Sequence, residues 1–189
     1  MVRNMKRLLV VVDFQNDFVD GSLGFPGAEK LEAPIAKKIL EYRESGDEIV
    51  FTRDAHPKGY LNTQEGKYLP VEHCIEGTPG EGFYGRVAGL VSEADLVFEK
   101  PAFGSVRLIE FLSRRQHAAE EASMLPFSSI EIVGLVSNIC VLANAVIAKT
   151  VCPEVPIILD ASCTDSYDKA LHEKSLDIME GLQIQVTNR

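Results

Sequence analysis

The feature that most constrains this chain is the alternation of short apolar runs with longer segments whose apolar residues recur at helical spacing. The runs are four to six residues long and rich in β-branched residues, which is typical of strands buried on both faces. Parallel neighbouring strands need a helical crossover, since each strand begins at the same end of the sheet. The alternation therefore predicts an α/β domain in three layers, with a parallel six-stranded sheet between two layers of helices. The predicted strands are residues 8–12, 48–52, 95–99, 130–135, 155–159 and 183–186.

Length and charge narrow the class of protein. The chain has 189 residues, so we expect a single domain over residues 1–189 with a substantial core. Its net charge of −9 disfavours nucleic acid and anionic membranes as partners. No apolar stretch approaches the roughly 20 residues that span a bilayer. A small molecule is the expected partner.

The four cysteines indicate the compartment. Cys74, Cys140, Cys152 and Cys163 show no CxxC spacing and are interpreted as free thiols in a reducing environment. The first apolar run ends at Asp13 without a small-residue cleavage site, so we expect no signal peptide. A cytoplasmic location is the resulting prediction.

Reactive side chains follow four of the predicted strands. Asp13, Asp54, Lys100 and Cys140 each come just beyond a strand, and in parallel sheets the site lies at the carboxyl ends of strands. Cys140 also opens a predicted helix, whose N-terminus lowers the pKa of a thiol. Asp13 can then act as the base and Lys100 as the cation that stabilises a thiolate nucleophile. Taken singly, each has an ordinary alternative: a loop carboxylate, a solvated lysine and a buried packing thiol.

The connection before Cys140 supplies a second element of such a site. Backbone N–H groups at this turn can form an oxyanion hole. We expect the donors to be the amides of Cys140 and of Val136 or a neighbour.

A group of possible metal ligands lies in the long segment after the second strand. Asp54 and His56 are two residues apart, so they point to the same side of an extended chain. Glu65 and His73 are the further predicted ligands, with Glu72 as a competitor. Carboxylate and imidazole donors suit Zn²⁺, with Mn²⁺ or Fe²⁺ as alternatives.

The alternative to a metal site is a polar surface loop. Cys74, beside the predicted ligand His73, is interpreted as a packing residue. His117 and His172 lie away from the strand ends and are predicted to be surface residues.

Six short motifs, in their order and spacing, resemble the nicotinamidase and isochorismatase-like cysteine hydrolases. The resemblance covers about residues 7–187. The motifs are VVDFQNDF at 11–18, TRDAH at 52–56, HCIEGTPG at 73–80, KPAFGS at 100–105, GLVSNIC at 134–140 and LDA at 159–161.

The resemblance implies roles for several residues. Cys140, Asp13 and Lys100 match the family's catalytic triad, and the expected strand order is 3-2-1-4-5-6. A cis peptide bond is expected at Val136–Ser137, where it would aim the Val136 amide at the oxyanion. Metal-containing members match at Asp54, His56 and His73, with Glu65 at a variable ligand position. A homo-oligomer is also implied.

The resemblance further suggests a substrate. The branch that cleaves vinyl ethers typically lacks the cysteine, and ureido-cleaving members commonly lack the metal ligands. The expected reaction is therefore hydrolysis of nicotinamide to nicotinate and ammonia through a thioester. The chain has no tryptophan to stack on a pyridine ring, so Phe18, Tyr68 and Phe103 are the predicted aromatic wall.

Three alternatives remain open at this point. The first is a related cysteine hydrolase acting on another small amide or ureido compound. The second is a hydrolase that uses only the metal, with Cys140 in a packing role. The third is a binding or scaffold protein, because a fold does not determine function.

Overall fold

The computed structural model describes residues 5–189; Met1–Asn4 of the predicted domain lie outside the described residues. Six parallel strands form one sheet in the order β3-β2-β1-β4-β5-β6, which confirms the predicted architecture and strand order. The strands are β1 Leu8–Val12, β2 Glu48–Asp54, β3 Leu96–Lys100, β4 Ile130–Leu135, β5 Ile157–Asp165 and β6 Gln185–Thr187.

Helices cover both faces of the sheet. The strand β1 is entirely buried, and its alternate residues enter two separate cores because side chains alternate between faces. Leu8, Val10 and Val12 pack with α5, α6 and α7, whereas Leu9 and Val11 pack with α2 and α4. The helices are α1 Asn16–Val19, α2 Glu32–Glu44, α3 Gln64–Tyr68, α4 Gly85–Leu90, α5 Val106–Glu121, α6 Leu142–Val151 and α7 Lys169–Gly181.

The strand β5 extends well beyond its predicted end at residue 159. The register of β4 against β5 shifts between Ile132 and Gly134, after which Gly134 pairs with Thr164. The shift allows the irregular second half of β5 to continue the ladder although its sequence lacks a continuous apolar run. None of the helices within residues 5–189 is both long and apolar enough to cross a membrane.

Gly134 permits the close approach of β4 to β1 beside the predicted site. Its φ is +117°, and a Cβ atom there would lie 1.9 Å from the carbonyl oxygen of Val12. Only glycine fits this backbone. The C-terminal ends of the two central strands are thereby held together immediately before Asp13 and the Cys140 turn.

A buried ionic cluster fastens α2 to the sheet. Lys38 Nζ lies 2.5 Å from Glu131 Oε1 and 2.7 Å from Asp160 Oδ2, and Tyr42 Oη donates to Glu131 Oε2 at 2.6 Å. Burial opposes ionisation of Asp160, but its hydrogen bonds from Lys38, Ser162 and others lower its pKa from 3.8 to about 2. The Asp160 carboxylate therefore stays ionised beneath the helix.

We expect Lys38→Met to lower the free energy of unfolding by about 2 kcal/mol at neutral pH, because two carboxylates lose their cation. This loss in the free energy of unfolding is smaller than for a fully buried ion pair, because the Lys38 side chain is 19% exposed. Because the pKa of Asp160 is lower in the folded state, its ionisation stabilises that state at pH values above the ordinary pKa of 3.8. This contribution is lost as the pH falls through about 2. Urea unfolding at several pH values should show the difference shrinking below about pH 4. The exposed neighbour Lys37→Met is the control, and equal stability of the two variants would contradict the assignment.

Candidate active site

The three residues predicted as catalytic come together at the C-terminal edge of the sheet. Asp13 follows β1, Lys100 ends β3, and Cys140 lies in the turn after β4. Lys100 Nζ lies 2.6 Å from Asp13 Oδ2 and 3.6 Å from Cys140 Sγ. All three side chains are buried, so the Lys100 ammonium and the Asp13 carboxylate depend on each other for charge compensation.

Local backbone geometry aims Asp13 at this cluster. Asp13 has a φ of +44°, in the left-handed region that aspartate tolerates better than most residues. The Thr52 hydroxyl donates to its Oδ1 at 2.7 Å, while Lys100 contacts Oδ2. The carboxylate is therefore fixed between a neutral donor on β2 and a cation on β3.

The expected lowering of the Cys140 pKa is wrong. Burial raises the pKa of the thiol well above its ordinary value; the Lys100 charge opposes this, and the Asp13 and Asp54 carboxylates add to it. Cys140 lies in the turn directly before α6, which begins at Leu142, and burial there outweighs the effect expected from a helix start. The resting thiol is protonated, and a base is needed to activate it.

The other two members of the cluster have charges suited to that task. Burial lowers the pKa of Lys100, but Asp13, Cys140 and Asp54 outweigh it, so the pKa is raised and the ammonium persists. Burial raises the pKa of Asp13, and Lys100 opposes the rise. Asp13 is thus a carboxylate of increased basicity beside a protonated thiol.

Cys140 lies in a short π-helical turn, Ser137–Val141, rather than in a regular α-helix. The Val136 carbonyl accepts hydrogen bonds from the amides of Ile139 and Val141, at 3.1 and 3.2 Å. The Val136 amide, one of the predicted oxyanion donors, has no acceptor within residues 5–189.

The cis peptide bond is at Leu135–Val136, not at the predicted Val136–Ser137. The strand β4 ends at Leu135, and the chain leaves the sheet at that bond. Val136 already has an extended conformation, and Ser137 begins the turn. The prediction was therefore one residue too late.

Three of the predicted metal ligands converge in a buried cluster. His56 Nε2 lies 2.9 Å and His73 Nε2 3.4 Å from Asp54 Oδ2, and one ligand atom from each lies within 4.8 Å of the others. His73 Nδ1 lies 2.8 Å from the Val71 carbonyl, which directs Nε2 toward the cluster. Two imidazoles and a carboxylate in this arrangement suit a divalent metal such as Zn²⁺.

The remaining predicted ligand, Glu65, lies at the edge of this group. Its Oε1 is 4.0 Å from His56 Nε2 and 3.8 Å from His73 Nε2, and the side chain is partly exposed. Glu72, the competing residue, is exposed. Of the two glutamates, Glu65 is the one that faces the cluster.

Asp54 connects the cluster of predicted metal ligands to the predicted catalytic residues. Its Oδ1 lies 3.1 Å from Lys100 Nζ, while its Oδ2 faces the histidines. Burial raises the pKa of Asp54, but the hydrogen bonds from His56 and His73 and the Lys100 charge lower it below its ordinary value. The Gln15 side chain holds the Asp54 backbone, accepting from its amide at 2.7 Å and donating to its carbonyl at 2.8 Å.

A cavity of about 360 Å³ opens beside both clusters, and Cys140 forms part of its wall. Phe18 and Phe103, two residues of the predicted aromatic wall, line it. Tyr68 does not, because it ends α3 and its side chain is 85% exposed; Leu69 takes the place on the wall. The complete lining is Phe18, Ser22, Leu23, Gly24, Asp54, Glu65, Leu69, His73, Phe103, Val136, Ile139, Cys140 and Tyr167.

A sequence model of the Isochorismatase domain matches residues 7–189. This chain belongs to the isochorismatase family. Among curated proteins, the isochorismatase family protein PncA of Bacillus subtilis (strain 168) is 31% identical over 154 residues, which cover 75% of this chain and 78% of the relative. The nicotinamidase of Schizosaccharomyces pombe is 28% identical over 198 residues, with 87% of each chain covered. Among solved structures, the nicotinamidase/pyrazinamidase PncA of Bacillus subtilis superimposes with a TM-score of 0.78 at 26% identity, covering 96% of this chain and 99% of that chain.

This member of the isochorismatase family has two site tyrosines that the sequence reasoning missed. Tyr60 is buried and packs its ring against His56 and His73, with centroids 4.7 and 4.8 Å away. Tyr167 lines the cavity mouth and is 60% exposed. Tyr167 follows β5, so extending the strand-end rule to the true end of β5 would have found it.

Asn144 was also missed. Its side-chain amide donates to the carbonyls of Cys140 and Phe103, at 2.8 and 3.2 Å, and its Oδ1 accepts from the Ser105 amide at 3.1 Å. Asn144 thus joins Cys140 to the loop that carries Phe103. The available signal was a lone amide side chain in an otherwise apolar helical run.

The prediction that His172 is a surface residue is wrong. Its side chain is only 13% exposed, and its Nδ1 lies 2.9 Å from Ser137 Oγ. Residue 172 faces inward because α7 packs against the Cys140 turn. His117 is exposed, and Cys74 is buried in the core on one face of the sheet, as the sequence predicts for both.

Proposed function

We propose that this chain is a cysteine amidohydrolase that converts nicotinamide to nicotinate and ammonia through a thioester on Cys140. The observation that carries the proposal is the buried group of Asp13, Lys100 and Cys140 at the wall of an aromatic-lined cavity. The nicotinamidase relatives support the same reaction class and substrate.

In the first step Asp13 takes the thiol proton, and Cys140 Sγ attacks the carboxamide carbon. The amides of Val136 and Cys140 stabilise the negative charge on the former carbonyl oxygen. Asp13 returns the proton to the departing nitrogen, so the C–N bond breaks and ammonia leaves. A thioester between Cys140 and the acyl group remains.

In the second step Asp13 removes a proton from a water molecule that attacks the thioester carbon. The C–S bond breaks, the acid is released, and Cys140 recovers its proton. Lys100 remains an ammonium ion throughout and compensates the charge that alternates between Asp13 and Cys140. The net reaction consumes one amide and one water.

We further propose that Asp54, His56 and His73 hold a divalent metal, with Zn²⁺ favoured by the donor set, and that Glu65 faces it across the site. Such an ion would supply a Lewis acid that orients a substrate ring nitrogen. Gln15 and Tyr60 keep the ligands in place before any ion binds.

We expect His73→Ala to lower bound Zn²⁺ from about one ion per chain to below about 0.2, because losing one of three buried donors weakens affinity strongly. Elemental analysis after dialysis against a Zn²⁺ buffer measures the ratio. His117→Ala, at an exposed position on α5, is the control. Unchanged zinc content in His73→Ala would remove this residue from the ligand set.

The cavity lining favours a neutral amide. Among residues 5–189, the lining contains the carboxyl groups of Asp54 and Glu65 but no arginine or lysine to pair with an anionic substrate. Ureido acids carry a carboxylate, and the lining residues offer it no cationic side chain. An uncharged aromatic carboxamide fits Phe18, Phe103 and Tyr167 and needs no such partner.

An ammonia-release assay tests the substrate proposal. We expect kcat/KM for nicotinamide to exceed that for benzamide by about tenfold or more, since benzamide differs by the ring nitrogen alone. An anionic ureido compound such as N-carbamoylglycine should be poorer by a further factor of about 100. A preference for the ureido compound would favour the related cysteine hydrolase activity instead.

The proposed setting is the cytoplasm, where the four free and buried cysteines would remain reduced. We also propose a homo-oligomer, which light scattering of the purified protein would test.

A further inference from the structure

His172 is a partly buried titratable side chain that the proposed mechanism does not use. It lies on α7, far along the chain from the nucleophile, yet its Nδ1 is 2.9 Å from Ser137 Oγ. Ser137 is fully buried and is the first residue of the turn that carries Cys140. The nearest carboxylate, Asp165, is 3.9 Å from the same nitrogen, which is too long for a hydrogen bond.

The position of Ser137 links this contact to the proposed catalytic groups. Ser137 directly follows Val136, whose amide is the proposed oxyanion donor, and it lies three residues before Cys140. A displacement at Ser137 therefore moves the donor and the nucleophile relative to each other. Oxyanion stabilisation depends on donors within about 3 Å of the developing charge, so small displacements matter.

The turn is held by side chains from two sides. Asn144 on α6 binds the Cys140 carbonyl at its far end, and His172 on α7 binds the Ser137 hydroxyl at its near end. The turn also has internal bonds to the Val136 carbonyl, but these move with it. Among the described residues, His172 supplies the side-chain link between α7 and the start of the turn.

We propose that His172 is a positioning residue: its hydrogen bond to Ser137 fixes the nucleophile turn so that the Val136 amide and Cys140 meet the same carbonyl group. The inference rests on the proposed amide hydrolysis for its catalytic consequence. Its structural consequence, a more mobile turn when the bond is lost, does not depend on which substrate the enzyme uses.

The test combines hydrogen exchange and kinetics on His172→Ala, His172→Asn and Ser137→Ala. We expect the turn amides of residues 137–141 to exchange about tenfold faster in His172→Ala, with β4 unchanged. The kcat for nicotinamide should fall about tenfold while KM stays within about twofold, because the bond acts after binding. Asparagine offers a polar atom near the position of Nδ1, so His172→Asn should recover most of the exchange protection and most of kcat.

The double variant His172→Ala/Ser137→Ala should lose no more than either single variant, since both remove the same bond. If His172→Ala does not fold, Ser137→Ala, which removes the bond, is compared with His172→Asn, which keeps it. His117→Ala is the exposed control.

The inference is overturned if turn exchange is unchanged, or if exchange increases while kcat is unaffected in an active enzyme. Exchange needs no substrate, so an enzyme inactive on nicotinamide would refute the proposed function without deciding the exchange result. In that case faster exchange confined to the turn, reversed in His172→Asn, supports the positioning role, and unchanged exchange contradicts it.

Discussion

Replacing Cys140 with alanine is expected to lower kcat for amide hydrolysis by at least about 10⁴-fold, because no other group can form the thioester. The fold should persist, since the change removes one buried sulfur atom and costs about 1 kcal/mol or less of the free energy of unfolding. Lys100 would then face Asp13 and Asp54 without a thiol, which leaves the ion pairs intact. Steady-state ammonia release and thermal unfolding measure the two quantities.

Cys152→Ala is the matched control for this experiment. Cys152 is also a buried free thiol, but it lies in the core after α6, and burial alone raises its pKa to about 11. The kcat of Cys152→Ala should stay within about twofold of that of the original chain, because the Cys152 sulfur touches no reacting group. If Cys140→Ala kept most of its activity while Asp54→Ala lost it, hydrolysis by the metal alone would replace the thioester mechanism.

Replacing Lys100 with methionine is expected to affect both activity and stability. Methionine preserves most of the side-chain volume but removes the cation that contacts Asp13, Asp54 and Cys140. Asp13 would then be protonated, because burial raises its pKa and Lys100 no longer opposes the rise. A protonated Asp13 cannot accept the thiol proton, so kcat should fall by about 10³-fold or more.

The same change should lower the free energy of unfolding by about 3–5 kcal/mol, because two buried carboxylates lose their partner. Urea denaturation, run with and without Zn²⁺, measures this loss. Lys58→Met is the control at an exposed position shortly after β2. A Lys100→Met enzyme with kcat within about tenfold of the original would exclude the proposed charge compensation.

Much of the fold was predictable because each strand is a local apolar run between loops. Predicted and observed strand limits agree best for β1 and β4. Both strands are buried on both faces, and their predicted limits equal the observed ones. The extension of β5 was not predictable, since it depends on a register shift near Gly134 in the neighbouring strand. Such a shift is a property of the paired strands and leaves no periodic signal in either one.

For the site, the strand-end rule brought Asp13, Lys100 and Cys140 together because parallel strands end at one edge. The rule does not give side-chain direction within loops. Tyr68 therefore turned out to be exposed, and His172 turned out to face inward from α7.

The pKa of Cys140 shows a second limit of sequence reasoning. A helix start suggests a lowered thiol pKa, but burial beside two carboxylates has the larger effect. The assignment of Asp13 as base becomes more important for this reason. Only the assembled site reveals which of these opposing effects is larger.

The thioester on Cys140 is tested most directly by the ratio of products formed with hydroxylamine present. Nicotinamide and methyl nicotinate share the acyl group and differ in the leaving group. If both form one acyl-enzyme, the ratio of nicotinohydroxamate to nicotinate must be the same from either substrate at a given hydroxylamine concentration. An equal ratio, lost together with activity in Cys140→Ala, is the result expected from a thioester. Hydrolysis with no hydroxamate, or with a ratio that depends on the leaving group, would contradict it.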